Sequence, residues 1–181
     1  KQLLSRGRTG EARALLRQLR AVGNGAAAFM LAETLDPRSM PIGADTNDAR
    51  ARLAYAAAVR LAGLTSQETR SRLDAGNTLL RDVAKPIGLA QGRQLFNAGD
   101  VAGARTVLGL IDTPGDADVA LALARTYDPN VLAAQRADDT FADIDAAERL
   151  YRRWYAAARD RGDVSDAIVV ERIVRAMRRR R

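Results

Sequence analysis

Apolar residues recur at three- and four-residue intervals along most of the chain. Ala12, Leu15, Leu16 and Leu19 form one such set, and Ala28, Leu31, Ala32 and Leu35 form the next. Ala104/Val107/Leu108/Ile111, Ala120/Leu123/Ala124/Tyr127, Ala147/Leu150/Tyr151/Trp154/Ala158 and Val170/Ile173/Val174/Met177 continue the rhythm. A repeat near 3.6 residues places one apolar stripe on each helix. No segment alternates with period two, and β-branched residues are sparse, so no sheet is expected. The spacing predicts helices over 9–21, 25–35, 47–62, 65–83, 86–98, 101–112, 116–127, 143–161 and 164–178, with residues 1–5 as the tail of another. Glycine followed by a capping residue punctuates them at Gly7/Thr9, Gly63/Thr65, Gly99/Asp100, Gly115/Asp116 and Gly162/Asp163. Thr65-Ser66-Gln67-Glu68 reads as a capping box.

The pattern is written twice. Residues 3–37 align without a gap on 95–129, with 12 of 35 positions identical, among them Gly7/Gly99, Arg13/Arg105, Leu16/Leu108, Thr34/Thr126, Asp36/Asp128 and Pro37/Pro129. The offset is 92. Further on, Tyr55-Ala56-Ala57-Ala58 pairs with Tyr155-Ala156-Ala157-Ala158 at an offset of 100, which implies a longer loop in the second copy. The expected organisation is therefore an internal duplication, residues 1–85 and then 86–181. Runs of alanine keep the packing faces small, so antiparallel helix pairs can approach closely and stack on their neighbours. The expected fold is all-α, one continuous α-solenoid.

Composition narrows the chemistry. The 181 residues contain no cysteine and no histidine. That removes disulfides, thiolate nucleophiles and thiolate metal sites, together with the commonest general base and the usual zinc or haem ligand. Of 29 basic residues only Lys1 and Lys85 are lysine, and the net charge is +7. Residues 1–90 hold 14 basic against 8 acidic residues, and residues 91–181 hold 15 against 14. Most arginines alternate with acids, as Arg149, Arg152, Arg153 and Arg159 do with Glu148 and Asp160, and read as solvated helix faces. The run Arg178–Arg181 lacks a counter-charge nearby in the sequence and reads as a linker or chain end.

Gly99-Asp100-x-x-x-Ala104-Arg105, then Gly115-Asp116-Ala117 through Ala120-Leu121-Ala122-Leu123-Ala124 to Thr126-Tyr127-Asp128-Pro129, resembles the Sel-like repeats, relatives of tetratricopeptide repeats. Leu150-Tyr151-Arg152-Arg153-Trp154-Tyr155-Ala156-Ala157-Ala158 adds to the likeness. The resemblance covers nearly all of the second half and weakly the first, where Gly23-Asn24 and Leu35 depart from it. It implies a bacterial, alphaproteobacterial-type adaptor, with a periplasmic or cell-envelope location favoured over the cytoplasm, in which such repeats follow an anchored or disordered segment.

The remaining constellations read structurally. The repeated Asp36-Pro37 and Asp128-Pro129 stop helices, the carboxylate satisfying turn N–H groups. Asp138, Asp139, Asp143 and Asp145 lack calcium-loop spacing, and Asp143 or Asp145 suits a helix N-cap. Tyr151 and Trp154 suit a core, whereas Tyr155 suits either a core or a stacking surface. Ser66 and Ser71 near Lys85 show no nucleophile spacing, and Gly23-Asn24-Gly25 follows no strand, so no catalytic, cofactor or metal residues are assigned. The expected function is a non-enzymatic scaffold that holds a protein or peptide segment, favouring an acidic one, on a concave face lined by Arg17, Arg20, Arg52, Arg60, Arg152 and Tyr155. The alternative is a basic module for nucleic acid or an anionic surface. A glycan hydrolase is disfavoured for want of paired carboxylates.

Overall fold

The computed structural model describes residues 2–163 and 168–179. Lys1, Arg180, Arg181 and residues 164–167, where the last predicted helix was to begin, lie outside the described residues. Among the described residues the chain is all-helical, with no strand. It divides into two compact units, Lys1–Pro86 and Ile87–Arg181. No described helix is long and apolar enough to cross a membrane.

In the first unit α1 (Gln2–Ser5) and α2 (Thr9–Ala21) precede α3 (Gly25–Leu35), α4 (Asp48–Ala62) and α5 (Gln67–Asp74). α3 packs against both α2 and α4, which explains its composition. With neighbours on two sides, α3 buries most of its surface, and Ala27, Ala28, Phe29, Leu31, Ala32 and Leu35 are all buried. Burying Phe29, which meets Tyr55 at a ring separation of 6.5 Å, contributes roughly 1.5–3 kcal/mol. In the second unit α7 (Val101–Ile111), α8 (Ala117–Tyr127) and α10 (Ile144–Asp160) repeat the arrangement, with α8 against both neighbours. α11 (Val169–Arg178) closes the unit, its Val170, Val174 and Met177 packing with Ile144, Ala147 and Tyr151. Trp154 lies at the edge of this core, 6.2 Å from the Tyr151 ring.

Three boundaries differ from those the sequence predicts. The helix expected over 65–83 ends at Asp74, because Gly76 takes φ +80° and Asn77 then accepts from Leu80 N at 2.8 Å, starting a new helix. That helix, α6 (Thr78–Asn97), runs through Pro86 instead of starting there. An interior proline costs about 3 kcal/mol, and buried Leu79, Leu80 and Ala84 before it and Phe96 after it hold the two ends. Finally, Asp128-Pro129 stops α8 but also starts a short α9 (Pro129–Ala134), with proline at the first helical position and Leu132 fully buried.

The caps also shift. Ser66, not Thr65, caps α5 by accepting from Thr69 N at 3.2 Å, and its hydroxyl donates to Gly63 O at 2.8 Å. Arg8 occupies the N-cap of α2 without a side-chain bond, so Thr9 is not a cap. Asp100, Asp116 and Asp143 cap α7, α8 and α10 as their spacing predicts.

Candidate interaction surfaces

The repeated words of the sequence build a polar frame in each unit. Arg13 on α2 donates through Nε to Thr34 Oγ1 at 3.3 Å and through Nη2 to the carbonyls of Thr34 and Asp45. Arg105 on α7 does the same to Thr126 Oγ1, at 3.2 Å, and to the carbonyls of Thr126 and Phe141. Each guanidinium thus satisfies a C-terminal helix carbonyl and ties a loop to it. Arg105 also stacks on Tyr127, 3.6 Å from the ring centroid, and its burial pushes its pKa down.

The two Asp-Pro aspartates are helix stops whose carboxylates satisfy turn N–H groups. Asp36 Oδ1 accepts from Arg38 N at 2.9 Å, and Asp128 Oδ1 accepts from Asn130 N at 2.8 Å. Their second oxygens accept from tyrosine hydroxyls, Tyr55 to Asp36 at 3.3 Å and Tyr151 to Asp128 at 2.9 Å. The residue matching Tyr55 is therefore Tyr151, an offset of 96, and not Tyr155. The loop bonds Asn47 N to Leu35 O and Asp143 N to Tyr127 O keep the same offset of 96 at the donor.

Burial pushes Tyr55 up to about 12, with the Asp36 charge acting in the same direction and the bond from Asn77 opposing it. Burial, reinforced by Asp128, likewise pushes Tyr151 up. A raised tyrosine pKa means that the fold favours the protonated hydroxyl. This stabilisation is complete below the ordinary value near 10 and is lost as pH rises through about 12. Between wild type and Tyr55→Phe, the difference in tyrosinate absorbance should stay flat through pH 10 and rise only towards about 12. A difference already present at pH 10 in the folded protein would show that the Tyr55 hydroxyl is not held as described.

The arginines predicted to line a groove divide into two kinds. Arg52 pairs with Asp48 at 2.8 Å and Asp82 at 3.5 Å, and Arg152 pairs with Glu148 at 2.8 Å and Glu171 at 3.6 Å. Bonds from Arg38 and Arg52 pull Asp48 below the usual carboxylate range, and bonds from Arg152 and Arg178 do the same to Glu148. Arg17 and Arg60 are exposed and Arg20 is half-buried, and none of the three forms an ion pair among the described residues. Tyr155 is half-buried against the α8–α10–α11 core, so packing accounts for one of its faces. The start of the terminal arginine run is not without a counter-charge, since Arg178 pairs with Glu148 at 2.9 Å, one turn of α10 away from Arg152.

Two clefts stand out. In the first unit a cavity of about 280 Å³ is lined by Glu33, Asp36, Arg38, Arg72 and Asn77. Its charges are mutually engaged, Arg72 with Glu33 at 2.8 Å and Arg38 with Asp36 at 3.5 Å. In the second unit an open cleft of about 430 Å³ between α10 and α11 is lined by Arg152, Arg175, Arg178 and Arg179 against Glu148 and Glu171. The Asp138–Asp145 segment forms no site of this kind. Asp138 caps Thr140 N at 2.8 Å, which lowers its pKa, and Asp143 caps Ala146 N. Among the described residues no three acidic side chains converge as metal ligands would.

The feature that sequence reading missed is apolar. Leu15 and Leu19 on α2, Val22 at its C-cap, and Leu53 and Leu61 on α4, are exposed. At the matching positions of the second unit, Val107 and Ile111 are buried, and Leu53 is replaced by Arg149. The signal was present in the sequence for Leu53, which falls off the Ala51/Ala54/Ala58 stripe by about a quarter turn or more, whereas Leu61 follows Ala54 by a heptad and lies only about 20° from it. Comparison with known proteins finds no family model, no curated protein and no solved structure that matches this chain.

Proposed function

We propose that the protein is a non-enzymatic interaction scaffold, a duplicated helical repeat of α-solenoid type, related to the Sel-like repeats, that holds a segment of a protein partner. The observation that carries this reading is the exposure of five large apolar side chains on α2, its C-cap and α4 of the first unit. A frame with the same internal bonds in both units supports the duplication. Its aspartates and arginines are committed to holding helices and loops. At the positions of Leu15, Leu19 and Leu53 the second unit has buried Val107, buried Ile111 and Arg149, and large exposed apolar side chains mark contact sites.

The test is a pull-down with the tagged protein as bait, from nuclease-treated lysate of the source cells, washed at two salt concentrations. One dominant protein that survives the higher salt supports the scaffold. A second reading, a basic module for nucleic acid or an anionic surface, is favoured by the α10–α11 cleft, where four arginines face two glutamates. Under that reading recovery disappears with nuclease or salt, because each released counterion steepens the salt dependence. Replacing Arg175 and Arg179 with glutamate then abolishes binding. Under the scaffold reading the same pair of substitutions leaves binding unchanged.

A further inference from the structure

We infer that the outward face of α4 is a docking site for an acidic amphipathic helix; the inference rests on the scaffold reading and specifies its partner. Leu53, Ala57 and Leu61 follow one another at four-residue intervals, and Arg50 and Arg60 flank them within an arc of roughly 100°. Leu53 is 73% and Leu61 46% exposed. Arg50 and Arg60 are exposed and form no ion pair among the described residues. The acid of this helix's first turn, Asp48, projects from a different face and is held by Arg38 and Arg52.

The second unit shows what an undedicated face looks like. At the matching positions α10 carries Arg149 for Leu53, Arg153 for Ala57 and Ala157 for Leu61. There Arg153 reaches Asp112 at the end of α7, with an Nη1–carboxylate distance of 3.0 Å. The same two positions in the first unit are Ala57 and Arg20. The acid is gone, the cation has moved to α2, and a small residue lies between two leucines. The result is an apolar strip about 12 Å long, with a notch at Ala57 and three arginines, Arg20, Arg50 and Arg60, that form no ion pair among the described residues.

That chemistry selects the occupant. Two leucine ridges around an alanine notch accept the leucines of a partner helix as ridges accept grooves. The arginines call for glutamate or aspartate beside those leucines, which steers association and fixes register. A second copy of this face would set arginine against arginine, and a nucleic acid would leave the leucines in water.

The test uses the whole protein and a fluorescein-labelled synthetic peptide about four turns long, with leucines at helical i, i+4 and i+7 positions and glutamates on both flanks. Fluorescence anisotropy should show saturable binding that weakens about tenfold or more in Leu53→Arg, the residue α10 carries. Arg50→Glu with Arg60→Glu should weaken it similarly and remove its salt dependence, while Arg149→Ala leaves it unchanged. The same peptide with lysine for glutamate should not bind. Because position 53 is exposed, circular dichroism of Leu53→Arg should match wild type. Absence of peptide binding, equal binding by Leu53→Arg, or a dimer in sedimentation that Leu53→Arg dissociates would each overturn the assignment. A lysate partner captured equally by wild type and Leu53→Arg would also overturn it while leaving the scaffold intact.

Discussion

Replacing Arg13 with alanine should destabilise the first unit by about 3 kcal/mol, the loss expected when a buried charged donor is removed from its acceptors. Arg13 is only 7% exposed, and its guanidinium serves Thr34 Oγ1 and the carbonyls of Thr34 and Asp45. Truncation leaves the end of α3 and the loop before α4 with unpaired carbonyls and opens a void under both. The ion pair to the Asp45 carboxylate contributes little of this, since the Asp45 side chain is 90% exposed. Arg13→Lys should recover only part of the loss, because an ammonium cannot present two fixed N–H directions. Hydrogen exchange is the informative readout. Protection should fall across α2–α4 in Arg13→Ala, and across α7, α8 and α10 in Arg105→Ala. A loss below about 1 kcal/mol would mean that water replaces the arginine freely.

Replacing Gly92 with valine should destabilise the second unit by about 3 kcal/mol, the upper part of the range for overpacking. A Cβ at this position would lie 2.6 Å from Leu108 Cγ and 2.7 Å from its Cδ2, and Leu108 is 1% exposed. Gly92→Ala should be milder, because alanine regains about 1 kcal/mol of helix propensity over glycine. A cavity of about 120 Å³ lined by Gly92, Phe96, Leu108 and Leu121 also gives the displaced leucine somewhere to turn. The decisive measurement is a double-mutant cycle in urea. Leu108→Ala alone should cost about 3 kcal/mol by leaving a void. Combined with Gly92→Val, the two losses should fall well short of additive as the new methyls fill the space. Additive losses would mean that the two residues do not share a packing site.

The polar frame illustrates how far sequence reading reaches. Arg13, Thr34 and Asp36 recur as Arg105, Thr126 and Asp128, and their recurrence in the sequence corresponds to the same bonds in each unit. The tyrosine register was not legible, because the word Tyr-Ala-Ala-Ala occurs at both 55 and 155. Only the reach of a hydroxyl to a carboxylate selects Tyr151. Among the candidate site residues, Arg52 and Arg152 each follow an acid by four residues, a local sign of pairing that the sequence carried. Arg20 and Arg60 have no such neighbour and form no ion pair among the described residues.

The order of residues alone specifies the all-helical class and most helix limits, because apolar periodicity, caps and helix-ending glycines act within a few residues of one another. It could not determine that α6 passes through Pro86, since that depends on distant side chains holding both ends of the helix. Nor could it show that Leu61, a heptad beyond buried Ala54, is left exposed. Burial is a property of what packs against a helix, and α3 covers only one side of α4. Tertiary structure decided which leucines became core and which arginines found acids, and so which surface of α4 was left for a partner.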